Sequence, residues 1–397
     1  MTDLRQRLRS GYLLLDGAMG TQLQAAGLKL GELPELLCFT DPEMVTNIHR
    51  RYIAAGSQVI YANTFQANGY KLKNSGYAPA QVIAKAIQVD AAAGTETYVA
   101  FDCGPIGQLL EPLGTLSFED AYALYREMVV AAEDAGADLI VFETFTDLYD
   151  MKAAVLAAKE HTHLPILATM SFEGNRRTFT GTTVPAMAMT LEGLGVDAMG
   201  FNCSLGPAEI LSLAEELRQW TDLPLVVKPN AGLPDPQTNE YTITAAEFAR
   251  EMVPFTQLGV RILGGCCGTS PAFIQELRHA IGTQPPEVPR PPKRHGVCSA
   301  SQVAEFTGVR VVGERINPTG KKRFQQALRE HDLDYILNQA MAQQDAGADI
   351  LDVNVGLPGI DEVSMMTDVV KAIQSVVSLP LQIDSTNPEV IEAGLRA

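Results

Sequence analysis

Short apolar runs alternate along the chain with longer amphipathic segments. At five positions the amphipathic segment ends in glycine and an apolar run begins within three residues, as in DAGADLIVFETF around Gly136. At three others proline stands at the entrance of the run, as in HLPILATM at Pro165. Because glycine commonly ends a helix and proline cannot continue one, each repeat predicts a helix, a tight loop and a buried strand.

Before residue 284 this pattern predicts eight strands, near residues 12–16, 58–62, 98–102, 139–143, 165–169, 197–201, 224–228 and 260–264. Apolar strands that alternate with helices form a parallel sheet covered by helices. Eight such units predict a closed (β/α)8 barrel, the TIM barrel of the α/β class. The alternative is a doubly wound open sheet. Its nucleotide-binding form begins with G-x-G-x-x-G, a spacing that DGAMGT after the first run does not have.

A proline-rich segment separates this region from a second set of strand-like runs. The segment QPPEVPRPPKRHGVC, residues 284–298, has five prolines between positions 285 and 292, which is typical of a stiff linker. Further runs lie near residues 310–320, 348–356 and 379–386. We therefore predict a barrel at 1–283, a linker at 284–300, and the first βα units of a second, incomplete TIM-like barrel at 301–397. Since three units cannot close an eight-stranded barrel, we expect a longer natural protein.

Composition narrows the classes of partner and compartment. The chain has 30 basic and 47 acidic side chains and a formal net charge of −17, which argues against nucleic acid as a partner. No apolar run approaches the roughly 18 residues of a membrane helix, so we expect no membrane association and a cytoplasmic protein. Six cysteines in 397 residues are too few for a disulfide framework, which favours a thiol or metal role.

Three cysteines follow predicted strands, at the end where TIM barrels carry their active sites. Cys203 follows the sixth strand, and Cys266 and Cys267 follow the eighth within GGCCGT. Zinc binds thiolates tetrahedrally, and three protein ligands leave one position for a substrate thiol. The flanking glycines permit the backbone that two adjacent ligands need. The pattern predicts a zinc site, and the alternative is a redox or binding module with a Cys266–Cys267 disulfide.

Two carboxylates lie at the ends of the first and fourth predicted strands. Asp16 and Glu143 could hold the ammonium group of an amino-acid substrate. Backbone N–H groups of the turn at Gly17, Ala18 and Met19 could take its carboxylate. The alternative is that either acid pairs with a basic neighbour or caps a helix.

The motifs DGAMGT, NTF, ETF, GFNCS and GGCCGT, in this order over residues 12–283, resemble the homocysteine-binding domain of the zinc-dependent homocysteine S-methyltransferases. The later motifs VGERINPTG, LDVNVG and IDS resemble the opening of a pterin-binding barrel, the methyltetrahydrofolate domain. The pairing is similar to that in the cobalamin-dependent methionine synthase family, whereas betaine-dependent relatives lack the second domain. The resemblance implies that the three cysteines are zinc ligands and that Asp16 and Glu143 contact the homocysteine amino group. It also implies five pterin contacts: Glu314, Asn317, Asp352, Asn354 and Asp384.

The resemblance implies a methyltransferase. A zinc-bound homocysteine thiolate would attack the methyl group of methylcobalamin and give methionine, with methyltetrahydrofolate as the ultimate donor in the complete protein. We expect methylcobalamin to be carried by a module outside this chain, because no histidine here has the aspartate of a D-x-H-x-x-G motif two residues before it. The alternative within this chemistry is a homocysteine methyltransferase that takes its methyl group from a small sulfonium or ammonium compound.

Overall fold

The structure is a computed structural model that describes residues 4–7, 10–29, 31–94, 96–233, 241 and 243–397. The chain divides into two units, Met1–Lys293 and Arg294–Ala397. None of the helices in the described part of the chain combines the length and the hydropathy of a membrane-spanning helix.

The first unit is built from strands that alternate with helices. Its strands are β1 (Leu13–Leu14), β2 (Val59–Tyr61), β3 (Tyr98–Cys103), β4 (Leu139–Phe145), β5 (Ile166–Met170), β6 (Ala198–Asn202), β7 (Leu225–Lys228) and β8 (Ile262–Leu263). Its helices are α1 (Leu4–Arg7), α2 (Met19–Ala25), α3 (Leu37–Thr40), α4 (Pro42–Ala55), α5 (Pro79–Ala91), α6 (Phe118–Asp134), α7 (Leu148–His161), α8 (Val184–Gly193), α9 (Pro207–Leu217), α10 (Ala245–Gln257) and α11 (Pro271–Ile281).

The eight strands form one parallel sheet that curls into a barrel. Their order is β1-β8-β7-β6-β5-β4-β3-β2, so neighbours in the sheet are neighbours in sequence apart from the β1–β8 pair that brings the ends together. At the remaining seam, Gln58 N–H donates to Leu14 O at 2.7 Å. A doubly wound sheet would reverse its strand order at a switch point. The predicted TIM-type barrel is therefore confirmed.

Alternate residues of the strands point into the barrel and fill it. On β3 these are Tyr98 and Ala100, which belong to the same buried cluster as Val141 on β4. Because side chains alternate along a strand, the same face continues to Asp102 on β3 and Glu143 on β4. Polar residues therefore replace apolar ones at the carboxyl end of the barrel interior.

Local signals in the sequence set the ends of the helices. The Ser117 hydroxyl accepts a hydrogen bond from Asp120 N at 3.1 Å and caps α6. Thr244 and Glu247 form a reciprocal capping box at the start of α10. At the other end, Gly56 closes α4 with φ of 114°, a left-handed conformation that favours glycine. These ends define where each following strand enters the sheet.

The second unit has its own small sheet and core. Its strands are β9 (Gly296–Cys298), β10 (Val303–Glu305), β11 (Val312–Ile316), β12 (Ile350–Val353) and β13 (Leu381–Ile383), and its helices are α12 (Lys322–Glu330), α13 (Leu333–Asp345), α14 (Glu362–Gln374) and α15 (Pro388–Arg396). β9 and β10 form an antiparallel pair, whereas β11, β12 and β13 form a parallel sheet in that order. Helices α12 to α15 pack on this sheet through buried residues such as Phe324, Met366 and Val390.

Candidate metal and substrate site

Three cysteine sulfurs meet at the carboxyl end of the barrel. Cys203 follows β6, Cys266 and Cys267 follow β8, and the three sulfur atoms lie within 4.8 Å of one another. Cys203 Sγ lies 3.8 Å from Cys267 Sγ. Tetrahedral zinc with Zn–S bonds of about 2.3 Å separates neighbouring sulfurs by roughly 3.8 Å. In the described part of the chain, this is the one group of three or more His, Cys, Asp or Glu residues whose ligand atoms lie close enough for a metal ion.

The backbone around the cysteines is held in conformations that bring them together. Cys203 has a left-handed φ of 59°, unusual for a residue other than glycine. A Cβ atom on Gly265 would lie 2.4 Å from Thr269 Oγ1, and one on Gly264 would lie 2.8 Å from Asp16 O. Glycine is thus required at both positions before the Cys266–Cys267 pair, because the chain there passes directly against its neighbours.

The cysteine thiols of the cluster differ in pKa. Hydrogen bonds from Cys203 and Cys266 lower the pKa of Cys267, whereas the pKa of Cys203 is raised by its hydrogen bonds to the other two thiols. Tyr241 also lowers the pKa of Cys267 through a hydrogen bond. Cys267 is therefore the sulfur that ionises first. A bound cation would favour the thiolate form of all three sulfurs.

Asn202, which directly precedes Cys203, forms hydrogen bonds to two neighbouring strands. Its side-chain oxygen accepts hydrogen bonds from Thr144 N at 2.8 Å and from Thr169 Oγ1 at 2.9 Å, and its Nδ2 donates to Thr144 Oγ1 at 2.7 Å. The same Nδ2 lies 3.9 Å from Cys266 Sγ. Asn202 therefore links the ends of β4, β5 and β6 beside the sulfur cluster.

Asp16 and Glu143 lie near a lysine for which the sequence analysis proposed no role. Lys228, at the end of β7, places its Nζ 3.1 Å from Glu143 Oε2 and 3.9 Å from Asp16 Oδ1. The ammonium group also stands over the ring of Tyr61, 3.8 Å from its centroid. All four side chains are buried. Glu143 therefore forms an ion pair with a basic neighbour in this structure, which was the alternative interpretation of the two acids.

Burial and the neighbouring charges together set the pKa values of these groups. It raises the pKa of Asp16 to about 6, against the opposing effect of Lys228, and it also raises the pKa of Glu143. Burial lowers the pKa of Lys228, but the negative charges of Glu143, Tyr61 and Asp16 together more than offset this, so the pKa rises well above its usual value. Lys228 is therefore a buried cation whose charge compensates the nearby carboxylates of Asp16 and Glu143.

The turn after β1 is fixed by two side chains from elsewhere in the barrel. Ala18 N–H donates to Thr269 Oγ1 at 3.2 Å, and the Tyr52 hydroxyl donates to Ala18 O at 2.9 Å. The Ala18 amide is thus already engaged within the protein. The contacts of Gly17, Ala18 and Met19 with a substrate carboxylate stay predictions.

The five residues of the second unit implied as pterin contacts lie on or directly after its parallel strands. Asn354 Nδ2 donates to Asp384 Oδ2 at 2.9 Å, so the ends of β12 and β13 are joined. Asp352 Oδ1 accepts from Gln382 at 2.8 Å. Glu314 on β11 pairs with Lys321 at 3.1 Å, and Asn317 Oδ1 accepts from Thr319 N at 2.9 Å. The structure brings Asn354 and Asp384 together, and it holds Glu314 and Asn317 in local contacts.

Comparison with family models divides the chain in the same way as the fold. A model described as homocysteine S-methyltransferase matches residues 13–281, and one described as pterin binding enzyme matches residues 313–397. Curated relatives include methionine synthases of Mycobacterium tuberculosis, 34% identical, and Mycobacterium leprae, 33% identical. Both alignments cover 99% of this chain, but the chain spans only 35% of the length of each relative.

Solved structures resemble the first unit. The metallated form of the homocysteine methyltransferase MmuM from Escherichia coli matches with a TM-score of 0.61 and 26% identity, covering 70% of this chain and 99% of that chain. The oxidized form matches with a TM-score of 0.58 and 27% identity, covering 68% of this chain and 95% of that chain. The similarity therefore extends over nearly the whole of that protein.

Proposed function

Because this chain belongs to the homocysteine S-methyltransferase family, we propose that its barrel binds homocysteine through sulfur and methylates it to methionine. The observation that carries this proposal is the convergence of three cysteine sulfurs within 4.8 Å at the carboxyl end of the barrel. TIM-barrel enzymes place their chemistry at that end.

Cys203, Cys266 and Cys267 would hold a zinc ion. The fit rests on the 3.8 Å separation of Cys203 and Cys267, which matches the spacing of sulfurs around tetrahedral zinc. When bound, zinc with three thiolate ligands accepts a substrate thiol as the fourth and keeps it deprotonated at neutral pH, where a free thiol with a pKa of about 8.5 is mostly protonated.

The acids at the barrel mouth would hold the amino-acid part of the substrate. Asp16 Oδ1 is buried and accepts no hydrogen bond within the described part of the chain, so it can take an ammonium N–H. Glu143, already near Lys228, would share its carboxylate between the two cations. We propose that the backbone N–H groups of Gly17, Ala18 and Met19 bind the substrate carboxylate. The Ala18 N–H would then donate to the carboxylate in place of Thr269 Oγ1.

The reaction is a transfer of a methyl group between two nucleophiles. An electron pair on the homocysteine sulfur forms the new bond to the methyl carbon. The bond between that carbon and its carrier breaks, and its electron pair leaves with the carrier. The protein's own residues bind and orient the sulfur for this attack. We propose methylcobalamin, presented by another module, as the donor.

The second unit is proposed to belong to the same reaction cycle. Its match to pterin-binding enzymes supports a role in binding methyltetrahydrofolate, which would renew the methyl group in the complete protein. Glu314, Asn317, Asp352, Asn354 and Asp384 remain the proposed pterin contacts. We propose the division into a barrel at 1–283, a linker at 284–300 and a pterin-binding part at 301–397.

Cysteine variants test the metal proposal. Cys267→Ser should abolish binding of zinc and homocysteine while the barrel stays folded, because a domain of roughly 280 residues buries enough surface to fold without a metal. Cys298→Ser, a change of a cysteine on β9 outside the cluster, is the matched control and should still bind zinc and homocysteine. Metal analysis measures the zinc content, calorimetry the affinity for homocysteine, and circular dichroism the folding of the chain. A Cys267→Ser chain that unfolds would show a structural metal instead.

Donor assays and metal analysis separate the alternatives. Turnover with betaine or a methylated sulfonium compound, but not with methylcobalamin, would replace the proposed donor by a small one. In the structure Cys266 and Cys267 are free thiols. Purified protein without zinc and with a Cys266–Cys267 disulfide would favour the redox module.

A further inference from the structure

Asp102 is a buried carboxylate that the proposed function does not use. It lies near the end of β3 and is only 7% exposed. It shares the inward face of the strand with Tyr98 and Ala100. The Thr64 hydroxyl fixes its main chain by donating to Asp102 O at 2.7 Å. Within the described part of the chain its Oδ1 accepts no hydrogen bond, and a buried acceptor without a donor marks a place where a ligand can bind.

The charges around Asp102 indicate that this ligand is a cation. Burial raises the pKa of Asp102 well above its usual value, and the charges of Glu143 and Asp16 raise it further, while Lys228 opposes them. Lys228 is the cation that lies close to Glu143 and Asp16. Asp16 and Glu143 thus lie beside one ammonium group, and Asp102 adds a third carboxylate on the inner face of the barrel, so a second cation would relieve the repulsion among the three acids.

The hydrogen bonds already present engage one oxygen of Asp16 and one oxygen of Glu143. An ammonium group has three N–H donors. Asp16 Oδ2 already accepts Tyr61 N at 2.8 Å, and Glu143 Oε2 already accepts Lys228 Nζ at 3.1 Å. Asp102 Oδ1 supplies a further acceptor on the same inner face. The Tyr61 hydroxyl is also buried without a partner among the described residues, so this part of the barrel interior has unused polar atoms on two neighbouring strands.

We propose that Asp102 contacts the ammonium group of the substrate together with Asp16 and Glu143. Asp102 thereby makes the site selective for an amino acid over a thiol without an amino group. This proposal rests on the proposed function, because the substrate sulfur must lie at the cysteine cluster for its amino group to reach these acids.

Calorimetric titration of the zinc-loaded chain with three thiols tests the proposal. Homocysteine has both end groups, 3-mercaptopropylamine lacks the carboxylate, and 4-mercaptobutanoate lacks the amino group. Asp102→Asn should weaken binding of homocysteine and 3-mercaptopropylamine about tenfold or more, because a hydrogen bond between two charged groups is lost, and should leave 4-mercaptobutanoate unchanged. Asp134→Asn, an exposed change at the end of α6, is the matched control and should alter none of the three affinities.

The pattern across the three thiols decides the outcome. Equal homocysteine affinity in Asp102→Asn and the unaltered chain would overturn the proposal, as would an equal loss for all three thiols. If the unaltered chain bound none of them, the proposed function itself would fail. We expect Asp102→Asn to fold, since it removes a buried charge and keeps the shape of the side chain. Asp102→Ser provides a second variant with the same expected pattern.

Discussion

Replacing Lys228 with methionine would remove the buried ammonium group that lies close to Asp16 and Glu143. Lys228 is 4% exposed, and its Nζ lies 3.1 Å from Glu143 Oε2 and 3.9 Å from Asp16 Oδ1. Removing one partner of a buried ion pair costs about 3–5 kcal/mol, because the other charge stays buried without compensation. At about 2 °C per kcal/mol for a unit of this size, the melting temperature should fall by roughly 6–10 °C.

The loss should depend on pH in a defined direction. Burial already raises the pKa of Asp16 to about 6 and raises that of Glu143. A carboxyl group whose pKa is higher in the folded state stabilises the fold at low pH and loses this contribution as the pH rises through the folded value. Without Lys228 these pKa values rise further. The destabilisation by Lys228→Met should therefore shrink as the pH falls below about 6.

Thermal melts of the variants across this pH range provide the assay. The double variant Lys228→Met/Glu143→Gln should recover part of the lost stability, because both members of the buried pair are then neutral. Lys73→Met, a change of an exposed lysine, should stay within about 0.5 kcal/mol of the unaltered chain. An unchanged melting temperature in Lys228→Met, or a loss that is the same at every pH, would show that Lys228 does not stabilise the fold by compensating buried carboxylates.

Two further predictions concern other buried positions. Burial raises the pKa of Asp150 to about 7 although the Tyr125 hydroxyl donates to it at 2.8 Å. Its contribution to the free energy of unfolding should fall by up to about 4 kcal/mol as the pH rises from about 4 to about 7, and denaturant titrations of Asp150→Asn should lack this slope. In Gly265→Ala the added Cβ would lie 2.4 Å from Thr269 Oγ1, so we expect less zinc per chain and a loss of about 1–3 kcal/mol. Gly174→Ala, where a Cβ meets nothing within 4 Å, should keep its zinc, and an equal zinc content in both variants would contradict the close approach at Gly265.

The barrel could be predicted because its signals are local. Each glycine or proline boundary, as at Gly136 or Pro165, lies within a few residues of the strand that it introduces. Convergence of the cysteines could also be predicted, because the ends of β6 and β8 must lie near each other once a parallel barrel is assumed. The order of elements along the chain was sufficient for both inferences.

The partners of the acids could not be predicted in the same way. Lys228 ends an apolar run, and Glu143 lies 85 positions earlier, on another strand. Lys228 and Glu143 meet only if both side chains point into the barrel at the same height. This depends on the stagger between β4 and β7, which a short sequence motif does not determine. The bond from Ala18 to Thr269 likewise joins loops 251 positions apart. A charged residue at the end of an otherwise apolar strand was the available signal for Lys228.

X-ray absorption at the zinc edge, measured on the purified chain with and without homocysteine, would show whether the three cysteines hold a zinc ion that binds the substrate sulfur. We expect one zinc ion per chain with sulfur from Cys203, Cys266 and Cys267, and a fourth sulfur neighbour at about 2.3 Å when homocysteine is added. A chain that binds no zinc, or a sulfur coordination number that homocysteine leaves unchanged, would contradict this expectation.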